Sequence, residues 1–139
     1  MSDSNICDSR VRQANLAAVK RAFEAIGRQD ANAMMDNYTD DVSMELPFAD
    51  SLDRMQGNDN IRAYLRAAFR VFQFELIITE VHEGLDPDKL VVEFTSEGKI
   101  TTTGKPYANR YIAVFWFRDG KVCRWREFLN PKIIDEAMS

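Results

Sequence analysis

The sequence predicts an α+β domain, with helices first and a sheet laid against them. Three observations carry this. Apolar residues recur at helical spacing in the first quarter and again over Ile61–Phe69, the period changes to two after residue 72, and four two-period runs then follow one another, separated by short turn sequences. The expected order is helix, helix, strand, helix and a four-stranded antiparallel meander.

Leu16, Val19, Phe23 and Ile26 recur at three and four residues, one apolar stripe of a packed helix, with Gly27 as its stop. Asp30 can cap a short second helix through ANAMMDN. In DDVSMELPF, Val42, Met44 and Leu46 alternate with Ser43 and Glu45, a short strand ending at Pro47, and ADSLDRMQG reads as a loop. Asp59 can cap a third helix whose inner face is Ile61, Tyr64, Leu65, Ala68 and Phe69. FQFELIITEVHEG, KLVVEFTSEGKITTTG, PYANRYIAVFWFRDG and KVCRWREFLNP read as strands, joined by GLDPD, TGKP and RDGK, where Asp119–Gly120 is a strong hairpin signal. KIIDEAM can add a final helical turn. Residues 1–8 read as a flexible leader and 9–139 as a single domain.

Composition narrows the function. A chain of 139 residues with 45% hydrophobic and 29% charged residues can bury a sizeable core. Its formal charge of −4 argues against nucleic acid as a partner. No apolar run reaches the roughly 18 residues of a membrane span, and MSDSNICDSR lacks the basic and apolar regions of a secretory signal. Cys7 and Cys123 make no disulfide framework, so a reduced, cytoplasmic protein is expected. His82 is the one histidine, and no CxxC, HExxH or GxxxxGK[ST] pattern is present, so no metal or other cofactor is expected. His82 reads as a solvated group at a strand end. Asp40 and Asp41 read as turn and capping groups.

The last strand carries the candidate chemistry. Alternation places Cys123, Trp125, Glu127 and Leu129 on one face and Val122, Arg124, Arg126 and Phe128 on the other. A glutamate on a buried apolar face is either ion-paired, here with Arg110, Arg124 or Arg126, or frayed into water at the strand end, or kept for acid/base work, since desolvation raises a carboxyl pKa toward working pH. On the preceding strand Tyr107, Asn109, Tyr111, Ala113, Phe115 and Phe117 share one face, and Ile112, Val114 and Trp116 the other. Helices can cover only one side of the sheet. Three large apolar residues on the second side therefore predict a homodimer through it.

Three stretches, RAFEAIGRQDANAMMDNYTDDVSME, GNDNIRAYL and FRDGKVCRWREFLNP, resemble the nuclear transport factor 2-like superfamily, which includes ketosteroid isomerases and SnoaL-like polyketide cyclases. The resemblance runs from about residue 10 to 135 and implies a cone-shaped, cystatin-like α+β barrel, three N-terminal helices packed on a curved, mostly antiparallel sheet. Within the superfamily the chain is similar to the phenazine-biosynthesis proteins A and B, with DP, VE, GKI, DGK and REF recurring in place. That similarity puts a pocket acid/base glutamate at Glu127 and Tyr64 where the family carries a pocket histidine, so the histidine-dependent part of that chemistry does not carry over. Against the ketosteroid isomerases, the general base falls on Leu46 and the two oxyanion-hole positions on Ala22 and Ala113. All three are apolar, which excludes that mechanism, while the family's pocket-lining positions fall on Trp125, Glu127 and Leu129.

The expectation is an enzyme acting on a small, apolar, ketone-bearing metabolite by acid/base isomerisation, cyclisation or condensation. Glu127 would move the proton, and Tyr64, Asn109 and Tyr111 would orient the ligand. Trp125, Leu46, Ala113, Phe94 and Leu129 would line the pocket. The alternative is a non-catalytic ligand-binding or dimerisation module of the same fold.

Overall fold

The structure is a computed structural model describing residues 3–49 and 54–139. Helix α1 (Asp3–Gly27) turns Val19, Ala22, Phe23 and Ile26 into the core. It takes in residues 3–8, which the sequence suggests as a leader; neither glycine nor proline interrupts the chain between Asp3 and Gly27, so the helix runs on outward. Asp30 caps α2 (Ala31–Met35), its side chain accepting a hydrogen bond from the Ala33 amide at 2.9 Å. In β1 (Tyr38–Glu45), Val42 and Met44 are buried, and Leu46 just beyond it is buried too. Asp40 and Asp41 lie within β1 and not in a turn before it, and Asp41 accepts a hydrogen bond from Arg118.

The expected loop after Pro47 holds a short further strand, β2 (Arg54–Gln56), paired antiparallel with β1; its residues 50–53 lie outside the described residues. Helix α3 (Asn58–Val71) is preceded by Gly57 at φ 95°, a backbone that glycine adopts readily. Gly57 takes the cap position expected of Asp59, which sits instead in the first turn, where its charge suits the helix dipole. Ile61, Leu65 and Phe69 are the buried face.

Four long strands follow: β3 (Phe72–Glu83), β4 (Lys89–Ile100), β5 (Pro106–Arg118) and β6 (Lys121–Leu129), and then helix α4 (Pro131–Met138). The six strands form one mixed sheet in the order β2-β1-β6-β5-β4-β3, in which only β1 and β6 are parallel. With the helices on its concave side, the sheet makes the cone-shaped α+β architecture. Gly98 marks a tight point in it. It pairs with Phe74 on one side and Tyr107 on the other, and a Cβ there would lie 2.0 Å from the Gln73 carbonyl oxygen. The Phe74 and Tyr107 rings pack edge to face beside this bare backbone, centroids 5.8 Å apart.

The β5–β6 turn is built on Asp119 and Gly120, both at positive φ (53° and 78°). Just beyond it the pairing slips. Phe117 faces Val122 but Trp116 faces Arg124, so Cys123 is an extra residue bulged out of register, its thiol donating to the Trp116 carbonyl at 3.4 Å. Strict alternation therefore fails at one place: Val122 is buried in the core, and Cys123 does not share the face of Trp125 and Glu127.

On the outer face Glu45 accepts from Arg124 Nε at 2.8 Å and from Arg126 Nε at 2.7 Å. Both guanidiniums, with Lys89, also lie over the Trp116 ring. Among the described residues no helix is long and apolar enough to cross a membrane.

Candidate active site

Helices α1, α3 and α4 stand off the inner face of the sheet and leave a cavity of about 510 Å³. Its walls are mostly aromatic and aliphatic, with Phe23, Phe69, Phe94, Phe115 and Trp125 among them, and residues Pro131, Ile134 and Asp135 of α4 at one side. That volume suits a small organic ligand.

Glu127 opens onto this cavity. Strand β6 places it there, because Trp125 and Glu127 share the inner face beyond the bulge, and Glu127 pairs across to Ala113. Glu127 is half-buried, and it lines the cavity. Among the described residues none donates a hydrogen bond to its carboxyl and none pairs with it as a cation. Arg124 and Arg126, offered by the sequence as partners, point to the other side of the sheet and bind Glu45, and Arg110 is exposed. Burial without a counter-charge pushes the Glu127 carboxyl up to about 7.

All four tyrosines of the chain, Tyr38, Tyr64, Tyr107 and Tyr111, border the same cavity. Burial raises the pKa of each phenol, and the negative charge of Glu127 adds to the effect at all four, so they stay protonated. Tyr38 packs on Trp125 at 4.8 Å between centroids, and Tyr111 stacks on Phe94 at 4.7 Å with the rings 10° from parallel. The hydroxyls of Tyr107 and Tyr111 lie 2.8 Å apart, and that of Tyr111 is also 2.8 Å from Ser96 Oγ.

Of the sequence-predicted site residues, Glu127, Tyr64, Tyr111, Trp125, Leu46, Phe94 and Leu129 all border the cavity. Two do not. Asn109 is a strut behind the wall: its Nδ2 donates to the Tyr107 hydroxyl at 3.0 Å and to the Asn130 carbonyl at 3.1 Å, and its Oδ1 accepts from the backbone amides of Arg110 and Asn130. Ala113 is fully buried in the sheet floor opposite Glu127, where a methyl group does not reach the cavity. His82 lies on the exposed outer surface, 2.7 Å from Glu93, remote from the site. Sequence reasoning missed Tyr38 and Tyr107. Alternation puts Tyr107 on the inner face, two residues from Asn109, but a tyrosine there reads equally as core.

The family model for the SnoaL-like domain matches residues 19–125. The chain belongs to the SnoaL-like domain family. This SnoaL-like chain is 30% identical over 129 residues to the phenazine biosynthesis protein PhzB of Pseudomonas fluorescens, covering 88% of this chain and 79% of that protein. Among solved structures it superposes on a candidate isomerase from Bacillus subtilis with a TM-score of 0.87 at 23% identity, covering 91% of this chain and 93% of that one. It also superposes on an LEH-like epoxide hydrolase of M. tuberculosis, with a TM-score of 0.73 at 20% identity, covering 90% and 89%. At these identities the two structural likenesses speak for the fold. A fold shared by proteins of such different description leaves the reaction to be argued from the site.

Proposed function

We propose that this SnoaL-like domain is an acid/base enzyme acting on a small apolar ketone, with Glu127 as the group that takes and returns the proton. The observation that carries the reading is the Glu127 carboxyl with no cation beside it, on the wall of a mostly apolar cavity, and brought by burial into the range where it exchanges protons near neutral pH. As carboxylate, Glu127 would remove a proton from the carbon next to the carbonyl, and the electron pair of that C–H bond would pass to the oxygen. The proton would then return to the same or another carbon, or the enolate carbon would attack an electrophile, which gives exchange, isomerisation or ring closure without an oxidant. Tyr64 and Tyr38 fit the role of holding the apolar body of the ligand. The free thiols, Cys7 exposed and Cys123 half-buried, fit a cytoplasmic setting.

The test is deuterium exchange at the carbons next to the carbonyl of 2-tetralone, followed by NMR. Exchange should be accelerated by the wild type, rise with pH through about 7, and fall about 10²–10⁴-fold in Glu127→Gln. Undiminished exchange in Glu127→Gln would remove Glu127 from the mechanism. A protein that binds the ketone without accelerating exchange is a ligand-binding module, the second reading of this cavity.

A further inference from the structure

Ser96, Tyr111 and Tyr107 each carry one hydroxyl proton, and their chain contains two bonds, Ser96 to Tyr111 and Tyr107 to Tyr111. Asn109 supplies the other contacts. Its backbone N–H donates to Ser96 Oγ at 3.1 Å and its Nδ2 donates to the Tyr107 hydroxyl, so Asn109 brings protons to the chain and accepts none from it. Three protons against two bonds leave one hydroxyl proton over. Were it the proton of Ser96, which is 1% exposed and does not border the cavity, a donor would be stranded in the interior at a cost the other arrangements avoid. The proton therefore rests on Tyr107 or Tyr111, and both border the cavity.

The charges around the cavity are equally one-sided. Among the described residues it is bordered by two carboxyls, Glu127 and Asp135, and by no lysine, arginine or histidine. Tyr111 pairs with Leu129 while Glu127 pairs with Ala113, so Tyr111 is the diagonal neighbour of Glu127 on the inner face. Such neighbours stand about 7–8 Å apart at the backbone, room for a carbonyl and the carbon beside it.

We propose that Tyr107 and Tyr111 form the pole that binds an acceptor oxygen, the carbonyl of a ketone or the oxygen of its enolate, on a ligand without a carboxylate. The proposal rests on the cavity being a small-ligand site, as argued above, and adds which oxygen it holds and which charge class it refuses. A carbonyl oxygen accepts and cannot donate, which is the complement of the one spare proton. A carboxylate would enter with no cation to meet it and two acids nearby, an uncompensated buried charge. With its oxygen on the tyrosine pole, a ketone turns the adjacent C–H toward Glu127.

The test pairs 2-tetralone with tetralin-2-carboxylate, a ligand of the same frame that carries a charge. Infrared difference spectra of bound 2-tetralone should show the carbonyl stretch shifted down from its position in hydrocarbon solvent. The shift should persist in Tyr107→Phe, because Ser96 and Tyr111 then hold two protons for one bond, and vanish in the Tyr107→Phe/Tyr111→Phe double variant. The carboxylate should bind wild type about tenfold or more weakly than the ketone at about pH 8. An unshifted carbonyl in the bound ketone, a shift that survives the double variant, or equal binding of the carboxylate each overturns the proposal. The wild-type spectra and the charge comparison decide it even if the double variant does not fold. Failure of both probes to bind overturns the ligand-site reading and this proposal together. A bound ketone with a shifted carbonyl and no deuterium exchange leaves this proposal standing and removes the catalysis.

Discussion

Glu127 is held in a form that loses favour as pH rises. Unfolded, its carboxyl ionises near 4.5; folded, desolvation raises this to about 7. The folded state therefore binds the proton more tightly, and the contribution of Glu127 to stability is fully present below about pH 4.5, declines between that pH and about 7, and stays low above. A raised buried carboxyl of this size corresponds to about 3 kcal/mol. The amide of the Glu127→Gln variant has no such titration, so the variant should gain stability relative to wild type as pH rises from about 5 to about 8, read as a widening difference in Tm. A difference that stays flat across that window would mean the carboxyl is solvated. Glu127 was legible in the sequence because a charged residue on an apolar strand face is rare enough to demand a reason. Tyr107 and Tyr38 were not, since a phenol on such a face is ordinary core chemistry until its hydroxyl partners are seen. Asn109 illustrates the converse. Alternation puts it on the inner face, but the side chain spends all its bonds behind the wall, joining Tyr107 to the backbone at the start of α4.

The strands carry this arrangement by small local devices that alternation does not announce. Gly98 in β4 is the clearest. Any side chain there would collide with the backbone of β3 at Gln73 and Phe74, and the Tyr107 ring packs directly alongside. Gly98→Ala should destabilise the fold by about 2–4 kcal/mol in chemical denaturation, through backbone displacement and not through a lost contact. Stability unchanged by that substitution would mean that β3 gives way easily. Helix α4 also does more than the final turn expected of it. Asn130 caps it by accepting from the Lys132 amide, Pro131 opens it, and its Ile133, Ile134 and Ala137 pack with Ile100 and Tyr107, so the element beside the cavity is tied to the tyrosine network at two points.

At the scale of the whole molecule, the order of the helices and long strands followed from period and turn chemistry, as did the inner face beyond the Cys123 bulge, since long runs at spacing two between strong turn signals admit few other readings; the three-residue β2 is too short to show a period. What alternation left open was the second side of the sheet. There Ile77 and Ile112 are 46% and 39% exposed, while Trp116 is covered by Arg124, Arg126 and Lys89. We propose that this outer face pairs with a second copy around Ile112 and Val114. Wild type should then sediment as a dimer at about micromolar concentration, and Val114→Glu should weaken it by about thirtyfold or more. A wild-type monomer at that concentration would contradict the pairing. The bulge at Cys123 has a different reach. Strand β6 is in effect written in two reading frames: Val122 is inward in the first, and with Cys123 kept in regular alternation instead of bulged the same frame would carry Arg124 and Arg126 into the cavity and expel Glu127. The frameshift at Cys123 sets the second frame, in which the acid faces in and the two guanidiniums face out. The loss of one residue between the Asp119–Gly120 turn and Trp125 can thus be taken up by flattening the bulge, before it alters the sign of the charge that a ligand meets.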